Sequence, residues 1–261
     1  MDAKLTRTEI IWLSIAGLAI FFGAWTLAAV FELAPRRFLP PPWEVFATFV
    51  KLIDTPFSGH TLQGHLLSSI ERYVRGFLLA AVVGVPLGLM MGWYRWLDNV
   101  VTPLFDGLRF IAPIAWVPFA ALWFGTGIGG PTMIIFAGAF PPCLINAYRG
   151  AKYVDRLHIE AAAMLGASGP RVIYAVLFPS SIPAIVAGLR VGAGTGWQSL
   201  IGAELIAASS GVGLMMVRAQ AALDTSIVMV GMLAVGVFGL LVDVMLRAIE
   251  QHIQRRRGLT T

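Results

Sequence analysis

Few side chains in this 261-residue chain can do acid–base or nucleophilic chemistry, and they do not converge in sequence. The four histidines, His60, His65, His158 and His252, fall in loops or at the ends of apolar blocks, which argues against a catalytic set inside a membrane. Cys143 is the single cysteine and lies in an apolar block, so it reads as a small buried hydrophobe with no disulfide or cysteine metal site. A phosphate-binding loop needs GxxxxGK(S/T), its lysine reaching the phosphates. The only lysines, Lys4, Lys51 and Lys152, follow no such glycine, so nucleotide chemistry would have to come from another chain. Polar groups set among apolar residues carry more information. A charge at the bilayer centre costs about 2.5–3.5 kcal/mol on insertion scales, so such residues face protein or water. Asp106 with Arg109 (i, i+3) and Asp243 with Arg247 (i, i+4) are spaced to pair on one helix face. Glu204 falls about a turn from the outer edge of its apolar block, where snorkelling to water is cheap, and structural pairing is the expected role for it as for Asp243 with Arg247.

Elements that could hold these groups follow from composition. The chain is 57% hydrophobic and 13% charged, about half the charge of a soluble domain, with mean hydropathy +0.78. It is expected to be an all-α membrane protein, a single domain over residues 1–261. Spans of about 20 apolar residues are expected at 10–33, 69–93, 100–124, 131–145, 182–208 and 227–246. Residues 43–53 carry one narrow polar stripe, Glu44, Thr48 and Lys51, on an aromatic helix that should lie in the membrane interface. Gly84, Gly88 and Gly92 in the second span and Gly188, Gly192 and Gly196 in the fifth repeat every fourth residue, a pattern for close helix packing. Pro86 should kink the second span, and Pro141-Pro142 should cut the fourth short. Pro113 and Pro118 interrupt the third span. In lipid that is tolerated where backbone is buried in protein or lines a wet cavity, so this helix either lines a path or is a kinked core helix.

Residues 155–179 are too polar to cross a bilayer. Asp155 can N-cap a short helix that Gly166 ends in the left-handed conformation. Ser168 can cap a second helix with Gly169-Pro170 at its start and Pro179 marking its end. Ala161, Ala162 and Ala163 give the first helix a low-relief face.

This pattern resembles the EAA loop of ABC-importer permeases. Glu160-Ala161-Ala162, then three residues, Gly166, nine residues, and Val176-x-Phe178-Pro179 follow the family spacing, with Phe178 in an aliphatic place. Residues 108–125, with two prolines and a closing Leu-Trp-Phe-Gly, and the turn at 208–215 are similar to the same family, nearest to its nitrate, bicarbonate, sulfonate and taurine branch. The resemblance implies a coupling loop at 150–180 that seats on a cytoplasmic ATPase, with Glu160 orienting it and Gly166 permitting its turn. It also implies a second permease copy, two ATPase subunits that hold the ATP and Mg, and an extracytoplasmic substrate-binding protein. This chain would then carry no cofactor, no metal and no catalytic residue, and would bind no nucleic acid. Arg109, Pro113, Pro118, Trp197, Gln198 and Glu204 become candidates for the translocation path, with helix packing the alternative for Trp197 and Gln198. The cargo is expected to be a small oxyanion or organic anion, the alternatives being a pyrimidine vitamin precursor, an aromatic acid, or a secondary transporter that needs no coupling loop. Eleven basic residues on the proposed inner side, Lys4, Arg7 and Arg255–Arg257 among them, against six outside place both termini in the cytoplasm of a multi-pass inner-membrane protein.

Overall fold

Helix α6, Gly129–Lys152, is the axis on which the larger part of the molecule is built. The computed structural model describes residues 7–256, so Lys4 and Arg257, and the side chains of Arg7, Arg255 and Arg256, lie outside the described residues. The helices in chain order are α1 (Arg7–Val30), α2 (Pro42–Asp54), α3 (Leu62–Trp93), α4 (Arg95–Leu108), α5 (Val117–Phe124), α6, α7 (Arg156–Met164), α8 (Gly169–Val172), α9 (Phe178–Ala207), α10 (Val212–Ala221) and α11 (Thr225–Arg256). Among the described residues five helices are long and apolar enough to cross a membrane, and the bent α4–α5 pair makes a sixth candidate.

The chain groups into two compact units: residues up to Gln63 with Met215–Leu233, and Gly64–Leu214 with the residues from Ala234 on. In the first, α1 exposes apolar side chains along most of its length, Trp12, Ile20 and Leu27 among them, a surface suited to lipid. The Trp25 indole donates to Pro40 O at 3.1 Å, tying α1 to the proline-rich connector. Helix α2 buries Val45 and Leu52 and exposes Trp43 and Phe46.

In the second unit both glycine rows meet α6. A Cβ built at Gly84 would stand 3.2 Å from Cys143 Cβ, one at Gly92 2.5 Å from Ala151 Cβ, and one at Gly88 would meet Leu144 O. On α9, a Cβ at Gly188 would stand 2.5 Å from Asn146 Cβ, at Gly192 2.8 Å from Cys143 Sγ, and at Gly196 3.2 Å from Ala139 Cβ. Cys143 thus fills the narrow space between the two rows. Tyr73, Ile135, Ala193, Trp197 and Leu200 close the core, with Phe238 packed against them.

Several sequence expectations need correction. The fourth span is not cut short, because α6 runs through Pro141 and Pro142 to Lys152. Pro142 has no N–H for the carbonyl four residues earlier, and that carbonyl, Gly138 O, accepts Thr195 Oγ1 from α9 at 2.9 Å instead. The third span is not one kinked helix: α4 and the stretch Pro113–Phe124 meet at 88°. Ala112 is extended (ψ 140) ahead of Pro113, the conformation a following proline favours. Pro118 falls in the first turn of α5, where its missing N–H costs nothing. The second span begins at Leu62, earlier than the expected start at residue 69. Helix α10 stands where the sequence suggested only a turn.

Candidate functional site

A cavity of about 700 Å³ opens between α4, the Pro113–Trp116 turn, α6 and α9. Its wall is mostly apolar, with Leu104, Phe136 and Pro141 among the lining residues, and α9 adds Thr195 and, one turn further on, Gln198 and Ser199. Arg109, at the α4 break, is the one charged residue in the lining among the described residues. It pairs with Asp106 at 3.0 Å and its guanidinium lies 4.8 Å from the Phe110 ring centroid. Of the six path candidates, Arg109, Pro113 and Gln198 line this cavity, whereas Pro118, Trp197 and Glu204 do not. Trp197 is buried on another face of α9. Its indole donates to Val235 O at 3.2 Å and its ring packs 4.7 Å from that of Phe238. Thr195 and Ser199 were not among the sequence candidates; their signal is their spacing, one helical turn from each other, with Gln198 beside Ser199.

On the neighbouring face of α9 a smaller hollow is lined by Arg190, Asp243 and Glu250. Arg190 donates to Asp243 through Nε at 3.0 Å and to Glu250 through Nη1 at 3.0 Å. Asp243 also holds Arg247 at 2.9 Å. Each of these four charges thus has a partner of opposite sign.

Glu204 is fully buried and takes the structural pairing expected of it. Its carboxylate accepts from Ser69 Oγ at 2.7 Å, Arg72 Nη1 at 3.1 Å and Gly213 N at 2.9 Å. Arg72 also donates to Ser210 O and Oγ at 2.7 and 2.6 Å. The sequence did show opposite charges in two apolar helices, Arg72 and Glu204, but nothing local says that they meet.

The 155–179 segment projects from the other end of α9. Asp155 caps α7 by accepting from Leu157 N at 3.0 Å, and Gly166 takes φ +78, which glycine adopts without steric cost. No residue of α7 is buried; Met164 is 84% exposed and Leu165 89%. Glu160 and Ala161 face outward and Ala162 is half-buried. Ser168 makes no side-chain cap. Pro179 does not end the second helix, contrary to expectation. That helix is four residues long and passes through a π-helical turn, Ile173–Leu177, into α9, whose first turn holds Pro179, where a proline is tolerated. The α3–α4 junction shares this end, because Asp98 accepts from Tyr148 at 2.8 Å and Lys152 at 3.2 Å on α6.

Residues 84–256 match the model of the binding-protein-dependent transport system inner membrane component. The chain belongs to this family. It is 33% identical to the taurine transport system permease protein TauC of Escherichia coli, covering 94% of this chain and 90% of that one. It is 38% identical to a putative ABC transporter permease of Methanocaldococcus jannaschii, over 94% and 91% of the two chains. Relatives named as aliphatic sulfonate, nitrate and bicarbonate permeases are 28–33% identical. An inward-facing structure of the MetNI methionine ABC transporter shares the fold with TM-score 0.58 at 18% identity, over 72% of this chain and 95% of that one. The protein is therefore a multi-pass inner-membrane permease subunit of an ABC importer. It is not itself an enzyme, and it works with a separate ATPase and a substrate-binding protein.

Proposed function

We propose that this permease imports a small sulfonate or inorganic oxyanion, as a pair of identical copies with both termini in the cytoplasm. The observation that carries the anion reading is the cavity lining, which holds Arg109 and, among the described residues, no carboxylate. The names of its relatives, taurine, sulfonate, nitrate and bicarbonate permeases, support the same class. Residues 155–179 would seat on the ATPase through the exposed α7, and ATP and Mg would reside on that partner. As the two ATPases close, the segment moves with them and the helices open the cavity to the binding protein; reopening turns it inward. Arg109 and Gln198 would meet the anion weakly enough to let it leave. The glycine rows would keep α3, α6 and α9 packed through the cycle.

Purified permease, reconstituted with its ATPase and binding protein in proteoliposomes, is expected to accumulate taurine, an alkanesulfonate or nitrate when ATP is inside. Arg109→Gln should cut uptake about tenfold, equivalent to ~1.4 kcal/mol, while the ATPase stays responsive to binding protein. Accumulation of a pyrimidine or an aromatic acid, with none of the anions taken up, would overturn the substrate class.

Topology is checked separately. Ser168 and Ser58 are both exposed. Single cysteines at these sites in a Cys143→Ala background should react with an impermeant reagent from opposite sides of the membrane. Reaction from one side only would refute the six-span arrangement.

A further inference from the structure

At the end of α9 remote from the 155–179 segment lies a buried polar cluster with no evident part in binding cargo or seating an ATPase. His65, Ser69, Arg72 and Glu204 are each at most 3% exposed. Three stretches of chain converge there: the first turns of α3, the last turn of α9 and the turn at 208–213. Glu204 receives Ser69, Arg72 and the Gly213 N–H. Arg72 spends both terminal nitrogens on Glu204 and Ser210, while its Nε finds no hydrogen-bond partner among the described residues. Ser69 Oγ accepts from Val212 N at 3.0 Å and His65 Nδ1 from Gly211 N at 3.3 Å. Gly211 has φ +112, and a Cβ there would collide with the Glu204 carboxylate, so the turn is moulded around this one side chain.

Burying an ion pair is a poor route to stability, because desolvation offsets most of the attraction, and apolar residues of like volume often do as well. What such a pair does supply is a single permitted arrangement, because either partner left alone is severely penalised. Here that arrangement joins elements 132 residues apart in sequence. The same α3 and α9 are already held against α6 by their glycine rows.

We propose that Arg72 and Glu204 are positioning residues of the transport cycle: an ionic clamp that makes this end of α3, the end of α9 and the 208–213 turn one rigid body. The path then opens without these elements separating. The inference rests on membership of the importer family and not on the anion reading.

Spin labels at Leu67→Cys and Ser209→Cys, both exposed positions, in a Cys143→Ala background flank the clamp. In the complete complex with ATPase and binding protein, their distance should be unchanged between the nucleotide-free state and the state trapped with ADP and vanadate. A shift in that distance between the two states would overturn the proposal, whatever the cargo. Adding Glu204→Gln should broaden the distance distribution and lower uptake at least about tenfold, with ATP hydrolysis still stimulated by binding protein. Uptake equal to that of the parent would also refute it. If Glu204→Gln does not assemble, the distance in the otherwise unaltered complex decides alone. Exchanging the charges, Glu204→Arg with Arg72→Glu, should not rescue, because the Gly213 N–H would then face a donor.

Discussion

Glu160→Arg and Gly166→Pro are each expected to abolish ATP-driven uptake in protein that still inserts into the membrane. The 155–179 segment buries none of α7, so Glu160 is not needed for the internal packing of the permease. On the proposed coupling role, reversing its charge alters the surface offered to the ATPase and leaves α6 and α9 untouched. Gly166 fails by a different route. Its φ of +78 is closed to proline, whose ring holds φ near −65°, so the link between α7 and α8 must take another course. Open space around the Gly166 Cβ position means that the backbone, and not crowding, is the cause. Gly166→Asn, a residue that tolerates the left-handed region, should therefore retain most activity. The measurements are uptake in proteoliposomes and ATPase retained on affinity-purified permease. Loss of both in the arginine and proline variants, with normal membrane levels, is the expected result. Normal uptake in either would show that the segment does not transmit the ATPase stroke.

Gly192→Leu should prevent stable assembly or transport, whereas substitution of Gly194 by leucine should be tolerated. The two glycines lie on the same helix and differ in their surroundings. A Cβ at Gly192 would stand 2.8 Å from Cys143 Sγ and 3.0 Å from Ala139 O, while one at Gly194 would meet nothing within 4 Å. Even Gly192→Ala requires α6 or α9 to give way by a few tenths of an ångström, and overpacking a filled core costs about 1–3 kcal/mol. Pairing Gly192→Ala with Cys143→Ala removes the sulfur and should restore part of the loss, since the nearest atom is then gone. Gly88→Ala should be harsher, because its first obstacle is the Leu144 carbonyl, which no rotamer change relieves. Detergent stability of the purified permease and uptake are the readouts. Wild-type behaviour of Gly192→Leu would mean that this face of α9 does not contact α6.

Much of this was legible in sequence because it depends on local properties. Hydropathy sums over about 20 residues mark a span wherever it packs, and Asp155 and Gly166 act within one turn of their own helix. The four-residue glycine spacing announced two faces without side chains. The effect of proline is less local. Pro113, Pro118, Pro141 and Pro142 are all helix breakers by local rule. Yet Pro118 sits where a proline costs nothing, and the carbonyl freed by Pro142 is taken up by Thr195 from a different helix. Only Pro113 broke the chain as its neighbourhood foretold.

By itself the sequence determined which long segments are apolar helices, that Asp155 caps and Gly166 turns the first part of the polar 155–179 segment, and to which family the chain belongs. Tertiary structure alone decided which polar residues share a space. Thr195, Gln198 and Ser199 face a cavity with Arg109, while Trp197, one residue from Gln198, faces the core, since adjacent helical residues point about 100° apart. Glu204 joins Arg72 across 132 residues. No local rule selects that partner, because what brings the two together is the packing of α3 and α9 on the same helix α6, and the cost of leaving either charge buried alone.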